Sequence, residues 1–160
     1  MADFNKDGLD YRIADQVLEG TLGGVKLRIL AGSGGRAGST ETNPLANVAN
    51  NPFMTDLKYV KGSERARIGG PIPCGLYKMK PGRKQISKKK SIDWIQLQPE
   101  ESTRMYGRGG FAIHGPGRIG SQGCIVPYSA SEFKRLYDCV KSNNGGTLKV
   151  TSGDVSSVLV

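Results

Sequence analysis

The sequence predicts a single, mainly β domain: a β-sandwich or curved sheet with long loops and one helix towards its C-terminal end. Three observations carry that prediction. Twenty-three glycines and eight prolines are scattered through short apolar runs in 160 residues, which favours many turns and strands over a helical bundle. Stretches 25–31, 92–98 and 146–152 alternate apolar and polar residues at the period of a half-buried strand. Helical spacing behind a start signal occurs in one place, after Tyr128.

Along the chain, residues 1–20 read as an acidic leading segment of the domain. In VKLRILA, Val25, Leu27 and Ile29 alternate with Lys26 and Arg28, which makes a strand. Residues 32–52 lack periodicity and read as the start of a long loop, extending to about residue 60, of the kind that usually carries function or mobility. Pro71 and Pro73 then stiffen a turn, and Gly75 releases it into a strand beginning at Leu76. Residues 78–91 read as a basic loop. The two long loops are candidates to rim or cover a cleft. IDWIQLQ sets Trp94 on one face and Ile95 and Leu97 on the other, as in a central strand, and GFAIHG is a short strand that delivers His114 at its end. Ser129 and Glu132 fit a capping box ahead of Phe133, Leu136, Tyr137 and Val140, so a core-packed helix starts there and ends near NNGG at 143–146. TLKVTS reads as a closing strand, with DVSSVLV a further strand or a tail.

Composition narrows the function. No stretch of about 18 apolar residues occurs, and MADFNKDGLDYR lacks a basic region followed by an apolar one, so neither a membrane span nor a signal peptide is expected. Cys74, Cys124 and Cys139 are too few and too widely spaced for a disulfide framework or a zinc cage, although Cys74 and Cys139 could pair and leave Cys124 free. The formal net charge is +9, and seven basic residues with no acidic one lie between Lys78 and Lys90. Such a surface attracts anionic partners, among them nucleic acid, anionic lipid and cell wall, or simply keeps the protein soluble.

Three motif-like stretches fail on inspection. GSGGRA at 32–37 follows a strand as a dinucleotide loop would, but GSTETNPLANVANNP behind it cannot form the required helix. DFNKDG spaces Asp3, Asn5 and Asp7 like a calcium loop, yet the closing position holds Ala14 and no helix precedes it. KPGRKQISKKK has no interleaved aromatics for base stacking, so nucleic acid is not expected as a partner beyond simple electrostatics. No cofactor or metal is expected, because a metallohydrolase would want more histidines than one.

The stretch HGPGRIGSQGC contains the sole histidine, His114, ten residues before Cys124. Cysteine acyl transfer needs a thiolate, an imidazole to manage its proton, a group that orients the imidazole, and backbone N–H groups for the oxyanion. Cys124 and His114 fit the first two roles, and the amides of Gly123 and Cys124 fit the last. No carboxylate neighbours His114 in sequence, so a backbone carbonyl is expected to orient it, with Gly115 the nearest. Ser121 can bond within the turn, support the oxyanion loop or contact substrate. Papain-like and related cell-wall peptidases place the cysteine well before the histidine, the reverse of the order here.

Ile113, His114 and Gly115, followed by Ser121, Gly123, Cys124 and Ile125, resemble the signature of the YkuD-type L,D-transpeptidase catalytic domain. The GPIPCGLYKM element, with Pro73, Gly75 and Tyr77, is similar to the proline-glycine-aromatic turn of the same domain, and with VKLRILAGSGG the resemblance spans about residues 25–150. Within that superfamily the chain is most similar to the short L,D-transpeptidase effectors delivered between bacteria by type VI secretion. It departs where many members have a histidine and an arginine and this chain has Gln122 and Val126; Arg118 or Arg108 can substitute for that arginine. Those two arginines, Tyr106 and Gln122 form the candidate substrate-binding set.

The resemblance implies an L,D-transpeptidase-type β-fold over residues 1–160, with one helix after the cysteine. It implies that Cys124 attacks the carbonyl of the L-centre of meso-diaminopimelate in a stem tetrapeptide and that D-alanine leaves. The thioester then passes to water, to a D-amino acid or to a second stem. For the effector-like subgroup, carboxypeptidase and exchange activity in the periplasm of competing bacteria are expected, with an immunity protein and a delivery protein as partners. A phage or housekeeping enzyme forming crosslinks, or a non-catalytic cell-wall binding domain, are the alternatives.

Overall fold

The computed structural model describes residues 7–35, 50–56, 70–116 and 121–154. Within them run eight strands: β1 (Gly8–Arg12), β2 (Val17–Leu22), β3 (Val25–Gly35), β4 (Gly75–Ser87), β5 (Lys90–Pro99), β6 (Ala112–Ile113), β7 (Ser121–Pro127) and β8 (Gly146–Thr151). One helix, α1 (Ala130–Ser142), lies between β7 and β8. The strands close into a barrel in the order β1-β2-β3-β7-β6-β5-β4-β8, so the curved sheet bends until its two edges meet. Closure pairs the two outermost strands of the sheet, β1 and β8, with each other. Two of the seams are parallel, β1 with β8 and β6 with β7.

The leading residues, expected as an acidic segment, supply two staves of this barrel. Leu9, Tyr11 and Ile13 alternate into the core, while Asp10 and Arg12 between them are only partly buried. Acidic residues on the outer face had hidden a five-residue strand. The buried Tyr11 hydroxyl donates to the Ala31 carbonyl at 3.0 Å, which ties β1 across to β3.

The strand expected from Leu76 is β4, and the basic stretch behind it, expected as a loop, continues that strand into the β4–β5 hairpin, with Lys78, Lys80 and Lys84 on exposed positions and Tyr77 and Met79 buried. β8 accompanies β4 only as far as Met79↔Gly146. Beyond that point β4 is an edge, where Pro81 removes no ladder bond on the open side and lysines discourage pairing with other chains. Arg83 there reaches Asp93 across the hairpin at 2.7 Å.

The helix begins as expected. Ser129 caps it, its side chain accepting from the Glu132 amide, and Phe133, Leu136, Tyr137 and Val140 join the same core as the barrel interior. The Tyr137 hydroxyl donates to the Gly82 carbonyl at 2.9 Å, fastening the helix to β4. All three cysteines are free thiols, so Cys74 and Cys139 are not paired. Of the loop expected at 32–60, Gly32–Gly35 belongs to β3, Pro52–Met54 forms a short 3-10 turn within the described stretch 50–56, and residues 36–49 and 57–60 lie outside the described residues. Residues 155–160 lie outside them as well, and so do the first residues of the calcium-like stretch.

Candidate active site

β6 and β7 run parallel, with Ile113 opposite Ile125. Both isoleucines are fully buried, so their neighbours His114 and Cys124 turn to the other face of the sheet. The same register sets Cys124 opposite Ala112 and places His114 one step further along the adjacent strand. The backbone confirms the seam, since the His114 amide donates to the Ile125 carbonyl at 3.2 Å. Ten residues of separation thus become diagonal positions on one face of neighbouring strands.

His114 is held in three ways: by that backbone bond, by its ring nitrogen and by its ring face. Nδ1 lies 2.9 Å from the Gly115 carbonyl. A carbonyl only accepts, so Nδ1 carries the proton and Nε2 presents a lone pair. The ring also lies against Trp94, with centroids 5.3 Å apart and planes within 5°. On the indole of Trp94 sits the Lys84 ammonium, 4.8 Å from the ring centroid. Burial pulls the imidazole pKa below its ordinary value, against an opposing contribution from the Gly115 bond. Burial likewise raises the Cys124 thiol, while a backbone hydrogen bond at Ala112 and the charge of Lys84 act in the other direction. At neutral pH the two groups are therefore a thiol and a neutral imidazole. Such a pair transfers its proton as the sulfur attacks, rather than resting as a preformed ion pair.

The backbone before the cysteine is bent and braced. Gly123 has φ +125°, and a Cβ there would come within 2.2 Å of the Phe111 ring and 2.8 Å of the Arg108 guanidinium. Only glycine fits. Its carbonyl accepts a 2.8 Å bond from the hydroxyl of Ser33, which in turn accepts from the Ile72 amide at 2.9 Å. Ser33 is fully buried, and its own amide donates to the Asn50 side chain at 2.9 Å. One serine in β3 therefore joins β7, the Pro71–Pro73 turn and the loop at Asn50.

The substrate-binding candidates separate. The sequence assigns Arg108 to substrate or to the place of the family arginine; the structure engages its guanidinium with the carbonyls of Thr55, Pro71 and Gly70, over the face of Phe111. Those contacts make it a brace of the loops beside Gly123, because a cation partly withdrawn from water is retained where acceptors surround it. Tyr106 is exposed at a left-handed position, φ 56°, under the guanidinium of Arg104 at 4.8 Å. Arg118 lies outside the described residues, and of Ser121 and Gln122 only the backbone, in β7, is described. Val126 is buried.

Sequence reasoning overlooked Ser33, Trp94 and Lys84 as parts of the site. Ser33 was concealed in the dinucleotide-like GSGG, which the structure shows as strand β3, paired with β7. Trp94 left a usable signal as the sole tryptophan on the polar side of a half-buried strand. Among the described residues no group of three or more His, Cys, Asp or Glu side chains gathers as a metal site.

Comparison with known proteins bears on this arrangement. The family model described as the Tlde1 domain matches residues 49–151, which include His114 and Cys124. No curated protein matches the chain. Among solved structures, an L,D-transpeptidase from Stackebrandtia nassauensis is similar at a TM-score of 0.51 and 16% identity, over 96% of this chain and 58% of that one. The L,D-transpeptidase of Xylanimonas cellulosilytica, residues 123–326, is similar at 0.48 and 18%, over 90% of this chain and 59% of that one. The chain thus spans less than two thirds of either structure. By its match over most of its length, the chain belongs to the Tlde1 domain family, on the fold of the L,D-transpeptidases.

Proposed function

We propose that this protein is a peptidoglycan-modifying cysteine enzyme that cleaves the bond between the L-centre of meso-diaminopimelate and the terminal D-alanine of a stem tetrapeptide. One observation carries the reading: in a chain of this family, Cys124 and His114 lie diagonally across a parallel seam, with Nδ1 of the imidazole held by Gly115.

Nε2 of His114 takes the thiol proton as the sulfur attacks the carbonyl carbon, and the carbonyl oxygen becomes an oxyanion. Backbone amides at Gly123 and Cys124 are the proposed donors to it. Collapse of the intermediate breaks the carbon–nitrogen bond, the imidazolium returns its proton to the departing amine, and D-alanine leaves a thioester on Cys124. Water, losing a proton to Nε2, then releases the tripeptide stem and restores the thiol. A D-amino acid in place of water gives exchange of the terminal residue. Either outcome removes donor stems from normal crosslinking, which makes the protein a toxin when it acts in the periplasm of a competitor. Delivery by a secretion machine and neutralisation by an immunity protein belong to the same reading, which the effector-like motif supports.

The test is digestion of defined tetrapeptide muropeptides, with and without added D-amino acids, read by mass spectrometry. Tripeptide or exchanged products are expected from the wild type, with at least a thousandfold loss in Cys124→Ala and His114→Ala, in the range found for removal of such groups. Undiminished product from either variant would remove the assigned roles. Expression with and without a periplasmic leader tests the biological setting, and equal harmlessness in both would contradict the toxin reading.

A further inference from the structure

The β4–β5 hairpin carries a row of cations, and one of them is placed differently from the rest. Arg83 is paired with Asp93 at 2.7 Å and held by Ser91 as well. Lys84, next in sequence, points to the opposite face of β4. Its ammonium lies over Trp94, and no described carboxylate pairs with it.

The ladder explains why that ammonium approaches the nucleophile. β5 lies between β4 and β6, with Gly82↔Trp94 on one side and Ile95↔Ile113 on the other. The second register, continued one step, sets Trp94 opposite His114, and their rings stack. Lys84, Trp94, His114 and Cys124 therefore share one face of four adjacent strands. The indole spans the interval between ammonium and imidazole, and the lysine charge is felt at the thiol.

That interval suits a specific anion in the proposed substrate. An attacking sulfur needs its carbonyl carbon at roughly 3–3.5 Å. In a tetrapeptide stem the terminal carboxylate is one α-carbon beyond the scissile nitrogen. A charge-assisted N–H···O contact adds about 2.8 Å. A cation held over the indole, with the imidazole strand between it and the cysteine and its charge still felt at the thiol, is placed to meet that carboxylate rather than the thiolate itself.

We infer that the Lys84 ammonium receives the terminal carboxylate of the departing D-alanine, with Trp94 as the floor between it and His114, and so selects stems that end at that residue. The inference rests on the stem-cleaving function proposed above. In a pentapeptide the same carboxyl is an amide and offers no charge, so the longer stem loses this contact. Electrostatic attraction at close range in a partly shielded site supplies discrimination of about tenfold.

Two measurements test it. Tetrapeptide with a free terminal carboxylate is compared with the same peptide ending in D-alaninamide, for the wild type and Lys84→Gln. The wild type is expected to prefer the acid by about tenfold in kcat/KM, and the variant to lose most of that preference, because the acid suffers far more than the amide. Separately, Cys124 is alkylated with anionic iodoacetate and with neutral iodoacetamide, followed at the Cys124 peptide by mass spectrometry. The iodoacetate-to-iodoacetamide rate ratio should fall about fivefold in Lys84→Gln. Equal losses on acid and amide overturn the inference, as does an unchanged alkylation ratio. Failure of the underlying function looks different: the wild type cleaves neither peptide, which overturns the assignment of the anion to D-alanine even where the alkylation ratio falls.

Discussion

Trp94 and His114 lie face to face, 5.3 Å between ring centroids and 5° from parallel, because the antiparallel register of β5 and β6 sets them opposite one another. The imidazole is thereby fixed on one face by the indole and at Nδ1 by the Gly115 carbonyl. Few rotations remain to it, which is what the base role proposed for it requires.

Trp94→Ala removes the stacking surface and opens the ring to water. Aromatic pairs contribute about 0.5–1.5 kcal/mol beyond their burial, so a kcat about tenfold lower with KM little changed is expected. Trp94→Phe should recover most of the loss. Because burial is the main reason the His114 pKa is low, NMR titration should show it rising towards the ordinary value in Trp94→Ala. An unmoved titration would show that the indole does not shield the ring.

Ser33→Ala removes the bond accepted by the Gly123 carbonyl and the one donated by the Ile72 amide. Loss of a buried bond costs about 1–3 kcal/mol, so a destabilisation of about 3 kcal/mol is expected for the two. For a domain of this size that lowers the melting temperature by about 6–12 °C in thermal unfolding. A drop below about 2 °C would mean that the three segments are held together by other contacts.

The pKa directions set the pH behaviour. With the His114 value depressed, the imidazole stays neutral below pH 6.5, and the acid limb of kcat/KM should bend below that value. Stability follows the same group. As pH falls below the unfolded value of about 6.5, the unfolded chain takes up the proton before the folded one does, so stability is lost down to the folded pKa, by at most about 1.4 kcal/mol per pH unit. His114→Gln should flatten that slope in denaturant titrations. The raised thiol acts at the other end, where stability declines as pH rises beyond the ordinary cysteine range. Iodoacetamide should accordingly label Cys124 more slowly at pH 7 than it labels an ordinary exposed thiol.

What could be read from the sequence was local. The Ser129 and Glu132 signals located the start of α1, because capping bonds join residues three apart. Alternation showed β3, β5 and β8, because each displays its buried face at every second residue. His114, Cys124 and the glycine ahead of the cysteine were visible as a motif for the same reason, lying within eleven residues of one another. β1 and β2 escaped because acidic outward residues outweighed the buried Leu9, Tyr11, Val17, Leu18 and Leu22, and the hairpin beyond the strand expected from Leu76 escaped because its exposed lysines hid Met79.

The sequence by itself determined β3, β5, β8 and the helix, the candidate nucleophile and base and the backbone carbonyl available to the imidazole. Only the tertiary structure decided that the sheet closes through a parallel β1–β8 seam, that Trp94 faces His114, that Ser33 supports Gly123 and that Lys84 lies over the indole. Lys84 and Trp94 meet across a hairpin, and each of the other pairings joins positions far apart in the chain. Strand register, set by which residues share the buried core, brings them together, and a one-residue slip would turn every one of these side chains to the wrong face.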